Sequence, residues 1–260
     1  MSENNSQYDV IVIGAGVAGL YQLFKLRQLK LKALVIEAGD NVGGTWYWNR
    51  YPGARFDSES WSYGYSFSKE LFEEWDWPEH FAAQPDTLRY LNYVADKFDF
   101  RRDIKFDRRV EACVFDQQNN LWTVRTNTKE EYVARFLITA LGPLSAFTLP
   151  NIEGRETFKG PAYHTARWPH EEVDFSGKRV GIIGTGACAI QTIQTIAKDV
   201  AHLTVFQRSP NWAAPLNNSV ITEDEQKQIK QDFEKIFEQC RKTIASVSYT
   251  HLTLPTKRIV

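Results

Sequence analysis

Residues 8–37 read YDVIVIGAGVAGLYQLFKLRQLKLKALVIE, and this stretch decides the fold. Residues 8–13 have the composition of a β-strand and run directly into a glycine turn, while residues 33–37 form a second strand-like run. Apolar side chains at helical spacing lie between the two strands, namely Leu20, Leu23, Phe24, Leu26 and Leu29. This βαβ opening predicts a parallel sheet with helices on its faces, which is an α/β fold.

The glycine turn has the spacing of a dinucleotide-binding motif, with Gly14, Gly16 and Gly19 in the pattern GxGxxG. The first glycine allows the tight turn, the second lets the backbone approach a pyrophosphate, and the third permits close packing of helix on strand. Glu37 follows the second strand at the expected distance of about 20 residues. A carboxylate there accepts hydrogen bonds from both ribose hydroxyls and repels a 2′-phosphate, which predicts FAD or NAD at this site.

A second motif, GTGACA at residues 184–189, repeats the strand, turn and helix pattern with alanine as its third small residue. Its second strand is followed by Gln207, Arg208 and Ser209, without a carboxylate. Arginine pairs well with a 2′-phosphate and serine donates to it, so this site is predicted to bind NADPH and the first site FAD. The residues predicted to contact NADPH are Thr185, Gly186, Ala187, Cys188, Ala189, Ile190, Gln191, Arg208 and Ser209.

Two dinucleotide sites in one chain indicate hydride transfer from a nicotinamide to a flavin. Disulfide reductases, flavin N-oxygenases and Baeyer–Villiger enzymes all have this arrangement. The three cysteines, Cys113, Cys188 and Cys240, include no CxxC pair, which argues against a disulfide reductase.

The segment that connects the two glycine motifs narrows the choice among these classes of enzyme. Residues 158–169 read FKGPAYHTARWP and match the pattern FxGxxxHxxxW followed by proline. In this the chain resembles the Baeyer–Villiger flavoprotein monooxygenases, whereas the related N-oxygenases lack the Trp-Pro ending. The resemblance implies that His164 and Trp168 take part in catalysis by coupling the two nucleotide-binding domains.

The aromatic loop GGTWYWNRYPGARFD at residues 43–57 is similar to the flavin-side loop of cyclohexanone, phenylacetone and steroid monooxygenases. The resemblance implies an FAD site lined by Thr45, Trp46, Tyr47 and Trp48, with further FAD contacts from Tyr63 and Val110. It places Arg55, Phe56 and Asp57 where the nicotinamide meets the flavin. Asp57 matches an aspartate that tunes the family's catalytic arginine, which belongs to a later segment that this sequence lacks.

The activity implied by the resemblance is the NADPH- and dioxygen-dependent insertion of one oxygen atom next to a ketone carbonyl, giving an ester or lactone. Two alternatives stay open. One is a flavin N-oxygenase acting on amines, and the other is a dinucleotide-binding fragment without turnover.

The expected organisation is a truncated pair of Rossmann-like domains for FAD and NADP. Residues 1–142 are predicted to belong to the FAD domain, residues 143–210 to a linker and the start of the NADP domain, and residues 211–246 to a helical subdomain. The tail 247–260 begins VSYTHLTLPT, resembles a translated sequencing adapter and is predicted to be non-native. An amphipathic helix is expected at 223–245, with Phe233 and Phe237 on its apolar stripe left exposed or misdocked.

Other elements are expected as follows: an irregular loop at 39–84, a helix capped at Asp86 or Thr87 and ending near 98, and strands at 110–115, 122–126 and 136–139. The 31 basic and 32 acidic side chains leave a net charge of −1, which gives no electrostatic reason to expect nucleic acid or membrane partners. A signal-like segment is absent from the first residues, so a cytoplasmic location is expected. The five histidines show no metal-ligand spacing.

Overall fold

The computed structural model describes residues 7–243 and divides the chain into two compact units. The first unit comprises Met1–Ala54 and Thr87–Ser209, and the second comprises Arg55–Asp86 and Pro210–Val260. Both glycine motifs fall in the first unit. The functional domain boundaries stay a prediction.

A six-stranded sheet forms the centre of the first unit, in the order β3-β2-β1-β6-β5-β4. Its strands are β1 (Tyr8–Ile13), β2 (Ala33–Ile36), β3 (Ile104–Lys105), β4 (Val110–Asp116), β5 (Leu121–Thr126) and β6 (Glu131–Thr139). Strand β1 pairs in parallel with β2 on one side and with β6 on the other, while β4, β5 and β6 form an antiparallel meander. The chain continues from β1 to β2 on one side and later returns as β6 on the other side of β1. The end of β1 is therefore a topological switch point, which is where α/β folds bind ligands.

Helix α1 (Val17–Gln28) packs on this sheet through buried Leu20, Leu23 and Leu26. Leu29 was expected on the same face, but 68% of its surface is exposed because the helix ends one residue earlier. Helix α5 (Gln84–Lys97) begins at Gln84 rather than at the predicted cap, Asp86 or Thr87. Pro85 explains the difference, since proline needs no amide partner in the first turn of a helix.

The second glycine motif lies in a smaller parallel pair, β7 (Arg179–Ile183) and β8 (His202–Phe206). Helix α6 (Ala187–Ile196) connects these strands, so the βαβ repeat that the sequence predicts is confirmed. The α/β fold class is confirmed with it.

The loop expected at 39–84 contains three short helices: α2 (Thr45–Trp48), α3 (Ser60–Tyr63) and α4 (Lys69–Glu74). Short apolar runs such as TWYW are too brief for helical periodicity to show, so sequence analysis missed them.

The second unit holds α3, α4, α7 (Glu223–Gln231) and α8 (Phe233–Lys242). The single helix expected at 223–245 is therefore broken at Asp232. The expectation that Phe233 and Phe237 are exposed is wrong, because they are only 7% and 6% exposed and their rings pack against Phe72 at 4.9 and 5.7 Å. An earlier segment of the chain supplies the partner that the sequence pattern could not show.

The predicted non-native tail at 247–260 lies outside the described residues. Within residues 7–243, the helices are all too short or too polar to cross a bilayer.

We predict that Gly19→Ala unfolds or strongly destabilises the first unit. A β-carbon at Gly19 would lie 1.8 Å from the carbonyl oxygen and 2.9 Å from the carbonyl carbon of Gly14, and these backbone atoms cannot move aside as a flexible side chain would. The cost should exceed about 3 kcal/mol, the usual upper range for overpacking. Urea unfolding followed by circular dichroism measures it. Gly186→Ala is the matched control, because a β-carbon there meets nothing within 4 Å, and equal stability of the two variants would contradict the packing.

We also predict that Glu59→Gln stabilises the second unit at neutral pH. Burial raises the pKa of the Glu59 carboxyl, partly offset by its hydrogen bond with Trp61. The folded state therefore binds this proton more tightly than the unfolded chain, and stability falls as pH rises through the raised pKa. The variant should raise the urea midpoint near pH 7 and leave it unchanged near pH 4 (about the ordinary carboxyl pKa). The exposed Glu74→Gln is the control, and a gain of the same size at both pH values would refute the prediction.

Candidate dinucleotide-binding sites

The first glycine turn lies at the switch point, between the ends of β1, β2 and β6. Gly14 has a φ of 103°, and its amide donates to the carbonyl oxygen of Ile36 at 2.8 Å. A β-carbon on Gly14 would lie 2.6 Å from the carbonyl oxygen of Ala140, just after β6. Only glycine fits this left-handed, close-packed position, which brings the turn to the edge where the parallel strands end.

A second loop packs directly on this turn through backbone atoms. The amide of Gly43 donates to the carbonyl oxygen of Ala15 at 3.1 Å. A β-carbon on Gly44 would lie 2.8 Å from the α-carbon of Gly16, and one on Gly16 would lie 3.2 Å from that of Gly44. The two loops therefore touch backbone to backbone, and this contact places helix α2 beside the start of α1.

The N-termini of α1 and α6 differ from those of the other long helices. Neither has a side-chain cap, and among helices of nine or more residues within 7–243 they are the two without an acidic residue in the first turn. By contrast, α7 begins with a capping box and three acidic residues. Exposed amides and an uncompensated positive dipole end form a favourable environment for a phosphate group.

Glu37 is buried, with 5% of its surface exposed, at the end of β2. Its two carboxylate oxygens accept hydrogen bonds from the amides of Ala15 at 2.7 Å and Gly39 at 2.8 Å. These bonds fix the carboxylate beside the glycine turn. A carboxylate offers about four acceptor positions, so each oxygen keeps capacity for a further donor such as a ribose hydroxyl.

Helix α2 carries the predicted flavin-side residues. Trp46 and Tyr47 are buried, whereas Thr45 and Trp48 are partly exposed. The rings of Tyr47 and Trp48 meet edge to face at 4.8 Å. Burial raises the pKa of the Tyr47 hydroxyl, and a hydrogen bond with Asp40 adds to this, so the hydroxyl is neutral at physiological pH.

The connecting segment docks on α2 through a residue that sequence analysis did not select. The guanidinium of Arg167 lies 4.7 Å from the ring centre of Trp48 and 5.1 Å from that of Phe147, and it donates to the carbonyl oxygen of Ser145 at 3.0 Å. Stacking of arginine on an aromatic face stabilises such contacts. The sequence does carry a signal for this contact, because a basic residue stands directly before Trp168, the tryptophan of the connecting motif.

His164 and Trp168 flank a 3₁₀ turn at Thr165–Arg167. The Nδ1 atom of His164 accepts from the amide of Ala166 at 3.1 Å, so the neutral imidazole carries its proton on Nε2. The ring of Trp168 lies 5.4 Å from that of Tyr163. Both side chains shape the connecting segment in this structure, and their part in catalysis stays a prediction.

The second glycine turn is more open than the first. Gly184 has a φ of 102°, its amide donates to the carbonyl oxygen of Phe206 at 2.8 Å, and a β-carbon at Gly184 or Gly186 meets nothing within 4 Å. The hydroxyl of Thr185 accepts from the Gln207 amide at 3.0 Å and donates to the Ser209 carbonyl oxygen at 3.5 Å. These bonds bring the end of β8 to the turn.

The remaining predicted contacts of the second site lie in or beside α6. Ala187, Cys188, Ala189, Ile190 and Gln191 form its first turns, so part of the motif lies inside the helix. Arg208 and Ser209 are exposed directly beyond β8. Within residues 7–243 the Arg208 side chain makes no ion pair, and a phosphate can reach it from solvent.

The second unit holds four other predicted residues. Arg55 pairs with the Glu79 carboxylate at 3.1 Å and donates to the Phe81 carbonyl oxygen at 3.1 Å. Phe56 is buried and stacks on Tyr63 at 4.4 Å, while Asp57 is exposed. A meeting of these side chains with the flavin-side residues of the first unit stays a prediction.

Val110 is the first residue of β4 and pairs with Thr126 of β5. It packs against the sheet core that includes Ile11, Leu34 and Ile36. Its contact with FAD stays a prediction.

This fold, with its glycine turns at strand ends, is that of a nucleotide-dependent oxidoreductase. The chain belongs to the pyridine nucleotide-disulphide oxidoreductase family, whose model matches residues 11–256.

Among proteins, the chain is similar to three monooxygenases. It is 46% identical over 247 residues to 2-oxo-Δ3-4,5,5-trimethylcyclopentenylacetyl-CoA monooxygenase of Pseudomonas putida, covering 93% of this chain and 45% of that protein. It is 42% identical over 253 residues to cyclohexanone 1,2-monooxygenase of Acinetobacter sp, covering 97% of this chain and 46% of that protein. It is 43% identical over 242 residues to phenazine N-monooxygenase PhzNO1 of Lysobacter antibioticus, covering 93% and 44%.

The chain is also similar to solved structures of monooxygenases. The chain matches OTEMO in complex with FAD and NADP with a TM-score of 0.91 and 46% identity, covering 94% of this chain and 47% of that one. It matches oxidized steroid monooxygenase bound to NADP with a TM-score of 0.89 and 48% identity, covering 94% and 46%. The resemblance to Baeyer–Villiger monooxygenases is confirmed. The chain spans about half the length of these relatives.

We predict that Glu37→Gln lowers the free energy of unfolding by about 1–3 kcal/mol, the cost of an unsatisfied buried polar group. A glutamine side chain accepts one amide through its oxygen and turns an NH₂ group toward the other. Urea unfolding measures the loss, with exposed Glu171→Gln as the control. Unchanged stability would show that the two amide bonds do not fix this carboxylate.

Proposed function

We propose that this chain supplies the FAD and NADPH sites of a flavin-dependent Baeyer–Villiger monooxygenase. The observation that carries the proposal is the difference between two otherwise similar glycine turns. One is paired with the buried carboxylate of Glu37, and the other with the exposed side chains of Arg208 and Ser209. One chain with two such sites serves two different dinucleotides.

FAD fits the first site. The uncapped N-terminus of α1 and the side-chain-free surface of Gly14 and Gly16 would hold the pyrophosphate. Glu37 would accept from the ribose hydroxyls of the adenosine, and its charge excludes a 2′-phosphate from this position. Thr45, Trp46, Tyr47 and Trp48 of α2 would line the flavin side, as the resemblance implies.

NADPH fits the second site. The N-terminus of α6 would hold the pyrophosphate, and a 2′-phosphate would pair with Arg208 and accept from Ser209. A charge-assisted contact of this kind separates NADPH from NADH, since NADH has only a hydroxyl there.

The bound cofactors supply reducing equivalents and activate dioxygen, and the substrate is a small ketone. The residues of this chain hold and orient the reactants. Arg55 is fixed by its ion pair with Glu79, and the carboxylate of Asp57 is exposed. In this proposal Asp57 acts electrostatically on an arginine, as the family resemblance implies, while His164 and Trp168 couple the two nucleotide-binding parts.

A second candidate is oxygenation of nitrogen. It is favoured by the 43% identity to a phenazine N-monooxygenase, which is as high as the identity to cyclohexanone 1,2-monooxygenase. Both reactions use the same two cofactors. The Trp168-Pro169 ending of the connecting motif favours attack on a ketone.

We predict that Arg208→Ala weakens NADP⁺ binding about ten- to a hundred-fold and leaves NAD⁺ binding unchanged. The lost contact is a charge-assisted phosphate pair worth about 1.5–3 kcal/mol. Titration calorimetry of both nucleotides measures it. Arg179→Ala is a matched control, because Arg179 is an exposed arginine at the start of β7, whereas the glycine turn follows the end of that strand. Equal losses for both nucleotides would exclude the 2′-phosphate role.

A chimera tests the activity itself. Residues 7–243 replace the matched segment of Acinetobacter cyclohexanone 1,2-monooxygenase, and a second chimera replaces that of phenazine N-monooxygenase PhzNO1. The first should convert cyclohexanone to its lactone with NADPH and lose this activity when it carries Asp57→Ala. A folded, FAD-containing first chimera without lactone formation, beside a second that oxygenates nitrogen, would favour the alternative.

A further inference from the structure

The segment after α2 joins the two nucleotide-binding parts of the first unit. Tyr51 is 7% exposed, and its hydroxyl donates to Oε1 of Gln191 in α6 at 2.8 Å. The side chain of Cys188 neighbours the same hydroxyl. One phenol group therefore meets two residues of the helix whose N-terminus faces the second site.

Gly53 makes an independent contact with the same helix. It has a φ of 79°, and a β-carbon there would lie 2.2 Å from the Thr195 hydroxyl oxygen and 2.6 Å from the Gln191 carbonyl oxygen. The backbone of this segment thus lies directly on α6.

Cys188, Gln191 and Thr195 are spaced three and four residues apart, so they share one face of α6. Tyr51 and Gly53 contact this face over about two helical turns. Two points of contact along a helix fix its tilt as well as its distance, which a single contact cannot do.

The other end of the segment is fixed to the first site. Gly44 touches Gly16 backbone to backbone, and α2 follows at once. The path from the first glycine turn to α6 is therefore the short stretch 44–53.

We propose that Tyr51 is a positioning residue, whose hydroxyl holds α6 at a set position relative to the flavin-side loop. The proposal rests on the proposed function, because α6 carries the NADPH site only in that case. With both cofactors bound, the nicotinamide would supply a hydride to the flavin, giving NADP⁺ and reduced flavin, and α6 would hold the nicotinamide nucleotide in place for this transfer. Small displacements slow such transfers steeply, since about 1 Å of misplacement costs roughly a hundred-fold.

The chemistry of Tyr51 suits this role. Burial raises the pKa of its hydroxyl far above the ordinary value, and the neighbouring Cys188 side chain adds to this. The group is therefore a neutral donor throughout the working pH range. Tyr51→Phe keeps the ring and removes only this donor, whereas Tyr21→Phe removes a hydroxyl from an exposed ring of α1 and is the matched control.

The first measurement is anaerobic reduction of the FAD-loaded chain by NADPH, followed by flavin absorbance. Tyr51→Phe should lower the limiting reduction rate at least ten-fold, while the dissociation constants for NADPH and FAD change less than three-fold. Tyr21→Phe should match the unmodified chain. Equal limiting rates in all three proteins would overturn the proposal.

The second measurement needs no cofactor. In hydrogen exchange of the ligand-free chain, Tyr51→Phe should speed exchange of the amides in α6 at least ten-fold and leave those in α1 unchanged. If the unmodified chain fails to reduce flavin, the proposed function fails, and the exchange result alone decides the role of Tyr51. Unchanged protection of α6 overturns that role.

Discussion

The backbone contact between Gly16 and Gly44 is the constraint on which the rest of the structure depends. A β-carbon on Gly44 would lie 2.8 Å from the α-carbon of Gly16, so a larger residue at either position separates the two loops. The contact sets α2 beside the start of α1. Through Arg167 on Trp48 it also sets the connecting segment, and through Tyr51 on Gln191 it sets α6. The positions of α2, the connecting segment and α6 thus depend on one backbone contact at the switch point of the sheet.

The two glycine turns share one strand, turn and helix arrangement. Both leave a helix N-terminus without a side-chain cap or an acidic residue in the first turn. They differ at the end of the second strand, where Glu37 is held by two amides and Arg208 is exposed. In the proposed function, selectivity between dinucleotides depends on one side chain at each site, a carboxylate at the first and a guanidinium at the second.

Sequence analysis predicted the parts of the fold that short-range chemistry determines. The bounds of β1 agree with the structure, because the strand ends directly before Gly14, which has a positive φ. The contacts of Tyr51 and Phe233 were missed, since their partners lie far along the chain, 140 residues away for Tyr51 and Gln191. Periodicity shows that a face is apolar but not which segment covers it, and for the same reason the break at Asp232 could not be predicted.

A crystal structure of the chain with FAD and NADP⁺ bound together tests the central claim, that one chain carries two different dinucleotide sites. We expect the adenosine ribose of FAD to lie within hydrogen-bonding distance of the Glu37 carboxylate. We also expect the 2′-phosphate of NADP⁺ beside Arg208 and Ser209, with a pyrophosphate at the N-terminus of each of α1 and α6. A 2′-phosphate located beside Glu37, or a single nucleotide shared by the two turns, would contradict it.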